Sequence, residues 1–249
     1  MTTGLDNLSK KEYPGRVIVI GLDRYAENII VVYAITGRSP SSQARKMVSE
    51  RAQILVTPTD ESLIKQGNTN LLIYPAISFS ENLAVSNGKQ TEDILDFLKS
   101  PESESAVGVL ESALSKWDYE PDAPNFTPRI SGCIRSSQDA ALSIIKRDAD
   151  GNSERNYYKI FLKPGQGKLM ATYSGENRDP LPSFSGVPED VFLQEPTAED
   201  TASAVYEALQ PKNRKKDFRV AVACVFGHNL TKRQFTFSII NRHERMSSA

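Results

Sequence analysis

Residues 16–36, RVIVIGLDRYAENIIVVYAIT, hold two apolar runs rich in Val and Ile on either side of a short polar segment. Each run is strand length, and β-branched side chains sit well on a pleated surface and poorly in a helix. The connection LDRYAEN suits a hairpin, whereas two parallel strands need a crossover of a dozen residues or more. The pair therefore reads as antiparallel, and the same pattern extends in both directions. AQILVTP from Ala52, LLIYPAI from Leu71 and NLAVS from Asn82 follow it, then ISGCI, AALSIIKR, YYKIFL and KLMATY. FRVAVACVF and QFTFSIIN close the chain around a hairpin loop, GHNLTKR.

Helical patterns are fewer. TEDILDFLKS offers Thr91 as a cap, acids in its first turn and a stop before Pro101. ESESAVGVLESALSKW places Val107, Leu110, Leu114 and Trp117 at helical spacing, and TAEDTASAVYEALQ opens on a capping box of Thr197 and Asp200. GENRDPLPSFSGVPED reads as a long loop and KNRKK from Lys212 as a solvated connection. About ten strands and three helices, with neighbouring strands joined by short links, predict an α+β fold of mainly antiparallel sheets with helices outside. Residues 1–12 read as a flexible polar tail, 13–241 as a single domain and 242–249 as a C-terminal tail.

Composition excludes several function classes. Thirty basic residues against thirty-one acidic ones give a net charge of −1, which supports neither a nucleic-acid nor an anionic-membrane partner. No apolar stretch reaches membrane-spanning length and the N-terminus lacks the core of a secretory signal, so the chain reads as cytoplasmic. Cys133 and Cys224 lie in or beside apolar runs as small buried hydrophobes, and no Cys or His pair has metal-ligand spacing. LKPGQGK lacks the first Gly of a P-loop and the hydroxyl after its Lys, and there is no GxGxxG after a strand, no GxSxG and no HExxH. With His228 and His243 the only histidines, catalysis would run mainly on carboxylate, phenol, guanidinium and backbone groups.

Four segments collect such groups. Arg38-Ser39-Pro40-Ser41-Ser42 with Arg45 follows the second strand; it reads either as a solvated turn or as an anion site on a rigid strand end. Tyr74 lies inside a strand, as a core residue or as an available phenol. Asn87-Gly88 reads as a tight turn with Gly at positive φ, or as amides aimed at a ligand ahead of a helix. WDYEPDAPNFTPRI gathers Asp118, Glu120, Asp122 and Arg129 on a loop stiffened by Pro121, Pro124 and Pro128, a good place to hold a catalytic carboxylate.

Taken in order, YPGRVIVIG at Tyr13, VVYAITGRSPSSQAR at Val31, IYPAI around Tyr74, VSNGKQTEDI at Val85 and DYEPDAPNFTPRI at Asp118 resemble the archaeal-type IMP cyclohydrolase family. MATY near Tyr173 and the helix after Pro196 match more faintly. The resemblance is strong from Tyr13 to Ile134 and looser to about Ile240. It implies a four-layer αββα sandwich resembling the amino-terminal-nucleophile hydrolases, although Thr2 is not expected to serve as such a nucleophile. It also implies closure of the second purine ring, formyl-AICAR losing water to give IMP, with no metal and no cofactor.

By the same resemblance Glu120 and Tyr74 form the proton-transfer pair and Arg38 polarises the carbonyl or oxyanion. Arg45 with Ser39 and Ser42 takes the nucleotide phosphate, Arg16 and Arg129 being further candidates. Asn87 and Gly88 contact the base or ribose. The ligands implied are formyl-AICAR and IMP, and a homo-oligomer is compatible with this reading. The polar N-terminal segment, a longer middle at DADGNSERNYYK and the loop through RDPLPSFSG depart from the family pattern. Two alternatives stay open: a related hydrolase of an amide or formamide on a nucleotide-like ligand, and a non-catalytic purine-nucleotide-binding protein.

Overall fold

Strands β1 (Arg16–Leu22) and β2 (Ile29–Thr36) form the antiparallel hairpin that the sequence predicts, with Arg16 opposite Ile35 and Val19 opposite Val32. The computed structural model describes residues 4–60, 73–79, 82–100, 105–210, 216–230 and 234–246. Every residue of both strands is buried, so each needs cover on both faces and on both edges. The edges are closed by later parts of the chain. β10 (Gln166–Ala171) pairs with β1, and β12 (Arg219–Asn229) pairs with β2. β11 (Glu189–Phe192) and β13 (Gln234–Asn241) complete a six-stranded sheet in the order β11-β10-β1-β2-β12-β13.

A second sheet is a simple meander of seven strands in chain order. They are β3 (Arg45–Glu50), β4 (Gln53–Pro58), β5 (Tyr74–Phe79), β6 (Leu83–Ser86), β7 (Arg129–Ser136), β8 (Asp139–Arg147) and β9 (Ser153–Ile160). The ladders among the described residues are antiparallel throughout, both where a short link joins the partners and where β6 and β7 are joined through two helices.

Alternation along β7 and β8 shows how the layers stack. Ile130, Ile134, Leu142 and Ile144 point into the main core shared with the first sheet. Cys133, Ala141 and Ile145 point the other way, under helices α3 (Gln90–Lys99) and α4 (Ala106–Ala113), where Ile94, Leu98, Val109, Leu110 and Leu114 cover them. Helix α5 (Ala198–Ala208) lays Ala202, Val205 and Tyr206 on the outer face of the first sheet. Burying each large side chain here contributes about 1.5–3 kcal/mol. Thr197 caps this helix as the sequence predicts, accepting the Asp200 N–H at 3.0 Å.

Several expectations are corrected. Residues 1–12 do not read as a tail where they are described: α1 (Asp6–Ser9) docks with Leu5 and Leu8 in the main core. The C-terminal segment forms a short helix, α6 (Arg242–Met246). RKMVSE is strand β3, missed because only Arg45 and Met47 of it are buried. The long loop from Gly175 passes at its last two residues into β11, too short at four residues to show a period. Helix α3 starts at Gln90, so Thr91 lies inside it, with its hydroxyl on the Gly88 carbonyl at 3.1 Å and on Ser86. Leu71, Leu72 and residues 212–215 of the basic run lie outside the described residues.

Candidate active site

Four strands begin at one end of the sandwich with a polar residue: β1 with Arg16, β3 with Arg45, β5 with Tyr74 and β7 with Arg129. All four side chains are buried. A strand start is a natural mount for such groups, because the ladder fixes the backbone while the loop before it leaves room for a ligand.

The two sheets meet there through a pair of phenols. Tyr33 of β2 and Tyr74 of β5 lie hydroxyl to hydroxyl at 2.9 Å. Tyr33 is wholly buried, and burial, with Tyr74 beside it, holds its proton well above the ordinary tyrosine range. It therefore acts as a neutral hydroxyl. Glu120 sits in the same region at 4% exposure. Burial raises its proton affinity, while the charges of Arg16, Arg129 and Arg45 pull the other way without cancelling the rise.

The loop carrying Glu120 is pinned at several points. The Glu120 N–H donates to the Thr127 carbonyl at 2.9 Å. Asp122 accepts the Thr127 N–H at 2.6 Å and its hydroxyl, and that hydroxyl meets the Tyr173 hydroxyl at 2.6 Å. Phe126 turns the chain at φ +45° and the Asn125 side chain accepts the Leu181 N–H at 3.1 Å. Rigidity here comes from side chain to backbone bonds as well as from the prolines.

Arg129 has a built seat. Its Nε donates to the Asp118 carbonyl at 2.7 Å, its Nη1 to Gln90 Oε1 at 3.2 Å, and the guanidinium lies over the Trp117 ring at 4.8 Å. Its Nη1 is 3.8 Å from Glu120 Oε1. Arg16 and Arg45 are less provided for: Arg16 Nε and Arg45 Nε and Nη1 are buried with no hydrogen-bond partner. Burial lowers the proton affinity of Arg45 and the Arg16 charge lowers it further. For Arg16 burial acts the same way, but Tyr74, Glu120 and Tyr33 outweigh it. Three buried guanidinium groups facing the Glu120 carboxyl leave a surplus of positive charge and of unpaired donors, the signature of an anion site.

Two hollows open beside this cluster. One, of about 250 Å³, is lined by Gln43, Arg45, Val220, Arg242 and His243. The other, of about 340 Å³, lies between Tyr74, Pro75, Leu55, Lys89 and Glu92. Among the described residues no three His, Cys, Asp or Glu side chains converge at a spacing that would hold a metal ion.

The structure thus brings together Glu120, Tyr74, Arg16, Arg45 and Arg129. It treats the other candidates differently. Arg38 is drawn to the loop after β10, with Nη2 on Asp179 Oδ1 at 2.8 Å and Nη1 on Asn177 Oδ1 at 3.3 Å, its guanidinium over the Tyr13 ring. Ser39 is exposed and Ser42 half-buried, and they cap each other at the start of α2 (Pro40–Gln43): the Ser42 N–H donates to Ser39 Oγ at 3.2 Å and the Ser39 N–H to Ser42 Oγ at 2.9 Å. Asn87 commits its amide to the protein, donating to the Pro128 carbonyl at 2.9 Å and accepting from the Ile130 N–H at 2.9 Å and from Gln90 at 3.2 Å. Gly88 does not take a positive φ; a Cβ there would stand 2.5 Å from Gln90 Oε1 and 2.7 Å from Arg129 Nη1, so its bareness makes room for the Arg129 seat. Tyr33, Gln90 and Thr127 were not legible as site residues, although a lone phenol in the otherwise aliphatic run VVYAI was a signal for Tyr33.

A family model described as IMP cyclohydrolase-like protein matches residues 13–229. The chain belongs to the IMP cyclohydrolase-like family. No curated protein matches it. The family match covers every member of the Arg16, Tyr33, Arg45, Tyr74, Glu120 and Arg129 cluster and ends before α6, so Arg242 and His243 lie outside it. Among the described residues no helix is long and apolar enough to cross a membrane.

Proposed function

We propose that this IMP cyclohydrolase-like protein closes formyl-AICAR to IMP with loss of water. The observation that carries the reading is a buried carboxyl, Glu120, and a phenol pair beside unpartnered guanidinium donors of Arg16 and Arg45. An anionic nucleotide would satisfy those donors and bring its base to the proton-transfer groups. The two-sheet core with helices on both outer faces supports the αββα architecture of the amino-terminal-nucleophile hydrolases. Thr2, the residue such a fold would otherwise use, lies outside the described residues.

The chemistry needs little besides positioned proton donors and acceptors. The carboxamide nitrogen bonds to the formyl carbon and gives up one proton, and the formyl oxygen takes up a proton to become the hydroxyl of a carbinolamine. That hydroxyl, protonated, leaves as water while the former formamide nitrogen loses its proton and the C=N bond forms. Glu120, with its raised proton affinity, is the group that carries protons between these atoms. Tyr74 donates to the oxygen, backed by the neutral Tyr33 hydroxyl. Arg16 replaces Arg38 as the charge that steadies the developing oxyanion, because Arg38 is engaged by Asp179. Arg45 takes the phosphate, and Arg129 holds Glu120 in place.

The test is to mix the purified protein with formyl-AICAR in the presence of a chelator and follow IMP, with Glu120→Gln alongside. We expect turnover that the substitution lowers by about 100-fold or more. Release of formate and AICAR instead of IMP would make the protein a formamide hydrolase, and tight IMP binding with no turnover would make it a binding protein.

A further inference from the structure

Two of the five residues that line the hollow beside Arg45 belong to a part of the chain that the family match does not reach. Arg45 forms one wall; it is 8% exposed, and its Nε and Nη1 have no hydrogen-bond partner. Arg242 and His243, the first two residues of α6, form the opposite wall. Gln43, from the end of α2, and Val220 complete the lining. None of these is acidic. The walls are fixed relative to one another: Arg242 Nη1 donates to the Asp217 carbonyl at 2.7 Å, and Gln43 Nε2 donates to the same carbonyl at 3.4 Å and to that of Gly37 at 3.1 Å. Asn241, just before α6, is buried and clamped to both backbone groups of Met47 on β3, at 2.8 and 2.9 Å. The helix is thereby held against the strand that Arg45 begins. The nearest acids have other work: Asp217 is paired with Arg219 at 2.8 Å, and Glu244 accepts from Asn241 at 3.3 Å and lies 3.6 Å from His243 Nε2.

A cavity of about 250 Å³ with a buried, donor-rich guanidinium on one side and an arginine and an imidazole on the other is matched to a compact anion with several acceptor oxygens. We propose that Arg242 and His243 complete the subsite for the phosphomonoester of the substrate, together with Arg45, while Gln43 braces its wall through the Gly37 and Asp217 carbonyls. Ser39 and Ser42 take no part, since each spends its hydroxyl capping the other. The inference rests on the nucleotide reading above. It assigns the C-terminal segment a role in substrate affinity and leaves the bond-making step to the Glu120 cluster.

Binding and steady-state kinetics of the full chain test it. Arg242→Gln should weaken IMP binding by about 10-fold or more and raise KM for formyl-AICAR to match, with kcat within about twofold. His243→Gln should act in the same direction. Inosine, which lacks the phosphate, should bind the wild type and both variants equally, and ribose 5-phosphate should compete with IMP only where Arg242 is intact. Arg242→Lys keeps the charge, so it should recover part of the lost affinity even if the bond to Asp217 contributes to folding. Unchanged IMP affinity in both Gln variants, or equal losses for IMP and inosine, would overturn the subsite. The two readings fail separately. Turnover of formyl-AICAR with a KM indifferent to Arg242→Gln removes the subsite and leaves the reaction. Binding of ribose 5-phosphate that requires Arg242, without turnover of formyl-AICAR, removes the reaction and leaves the subsite.

Discussion

Replacing Asn87 by Ala distinguishes a residue that touches substrate from one that builds the pocket. Its amide makes three bonds inside the protein, to the Pro128 carbonyl, the Ile130 N–H and the Gln90 side chain, at 1% exposure. Truncation leaves two buried backbone groups and the Gln90 Nε2 donor without that partner. Each unsatisfied buried group costs about 1–3 kcal/mol, so the expected loss is about 3–5 kcal/mol. That is a large share of the 5–15 kcal/mol that typically stabilises a folded chain. With a urea dependence of roughly 3 kcal/mol per molar, the unfolding midpoint should fall by about 1–1.7 M. Asn87→Asp keeps the acceptor for Ile130 but loses the donor to Pro128, so it should lie between the two. The assay is equilibrium urea unfolding followed by tryptophan fluorescence, with KM for formyl-AICAR measured on the same preparations. A midpoint lowered by less than about 0.3 M together with a raised KM would refute the reasoning, since it would mean that the amide serves the ligand.

Glu120→Gln should alter the dependence of stability on pH. The folded state raises the Glu120 proton affinity, so its contribution is fully present below the unfolded value of about 4.3 and is lost as pH rises through the folded-state value. The wild type should therefore lose stability relative to the variant on going from pH 4 to pH 8 in urea melts; a gap constant with pH would contradict this. Gly15→Ala should cost about 2–4 kcal/mol, because Gly15 has φ +75° and a Cβ would collide with Thr172 Oγ1 and the Tyr173 ring. Thermal melts check it, and a shift below about 2 °C would show that the start of β1 gives way.

Legibility in the sequence followed burial. β1 and β2 were readable because every residue in them after Arg16 is apolar or small enough to be covered, and their link is too short for a crossover. β3 was not, because it lies at an edge and buries only Arg45 and Met47. The segment order located Glu120, Tyr74 and Arg45, yet it could not say which polar groups the protein would use on itself. Ser39-Pro40-Ser41-Ser42 did carry that information: a Ser with Pro next and a hydroxyl three residues on is a helix start, and the structure uses it as one. Asn87 was read as part of a tight turn with its amide aimed at a ligand; it lies at a bend between β6 and α3, and its amide bonds to Pro128, Ile130 and Gln90. Helix α6 was invisible, since five residues carry too little propensity to predict a helix and its position is set by the Asn241 clamp on β3.

The pairing of the first sheet has a consequence for synthesis on the ribosome. The β1–β2 hairpin is made early, with aliphatic faces on both sides, but its edges are closed by residues 166–171 and 219–227. At a synthesis rate of about 5–20 residues per second, β2 waits roughly 10–40 s for β12 to be made. For that interval a greasy two-stranded ribbon exposes unpaired N–H and C=O groups along the margin of β2, and along that of β1 until β10 is made, the template on which other chains add strands. The nascent chain thus presents its stickiest element first and its shield last, and the yield of folded protein depends on what covers the ribbon in between.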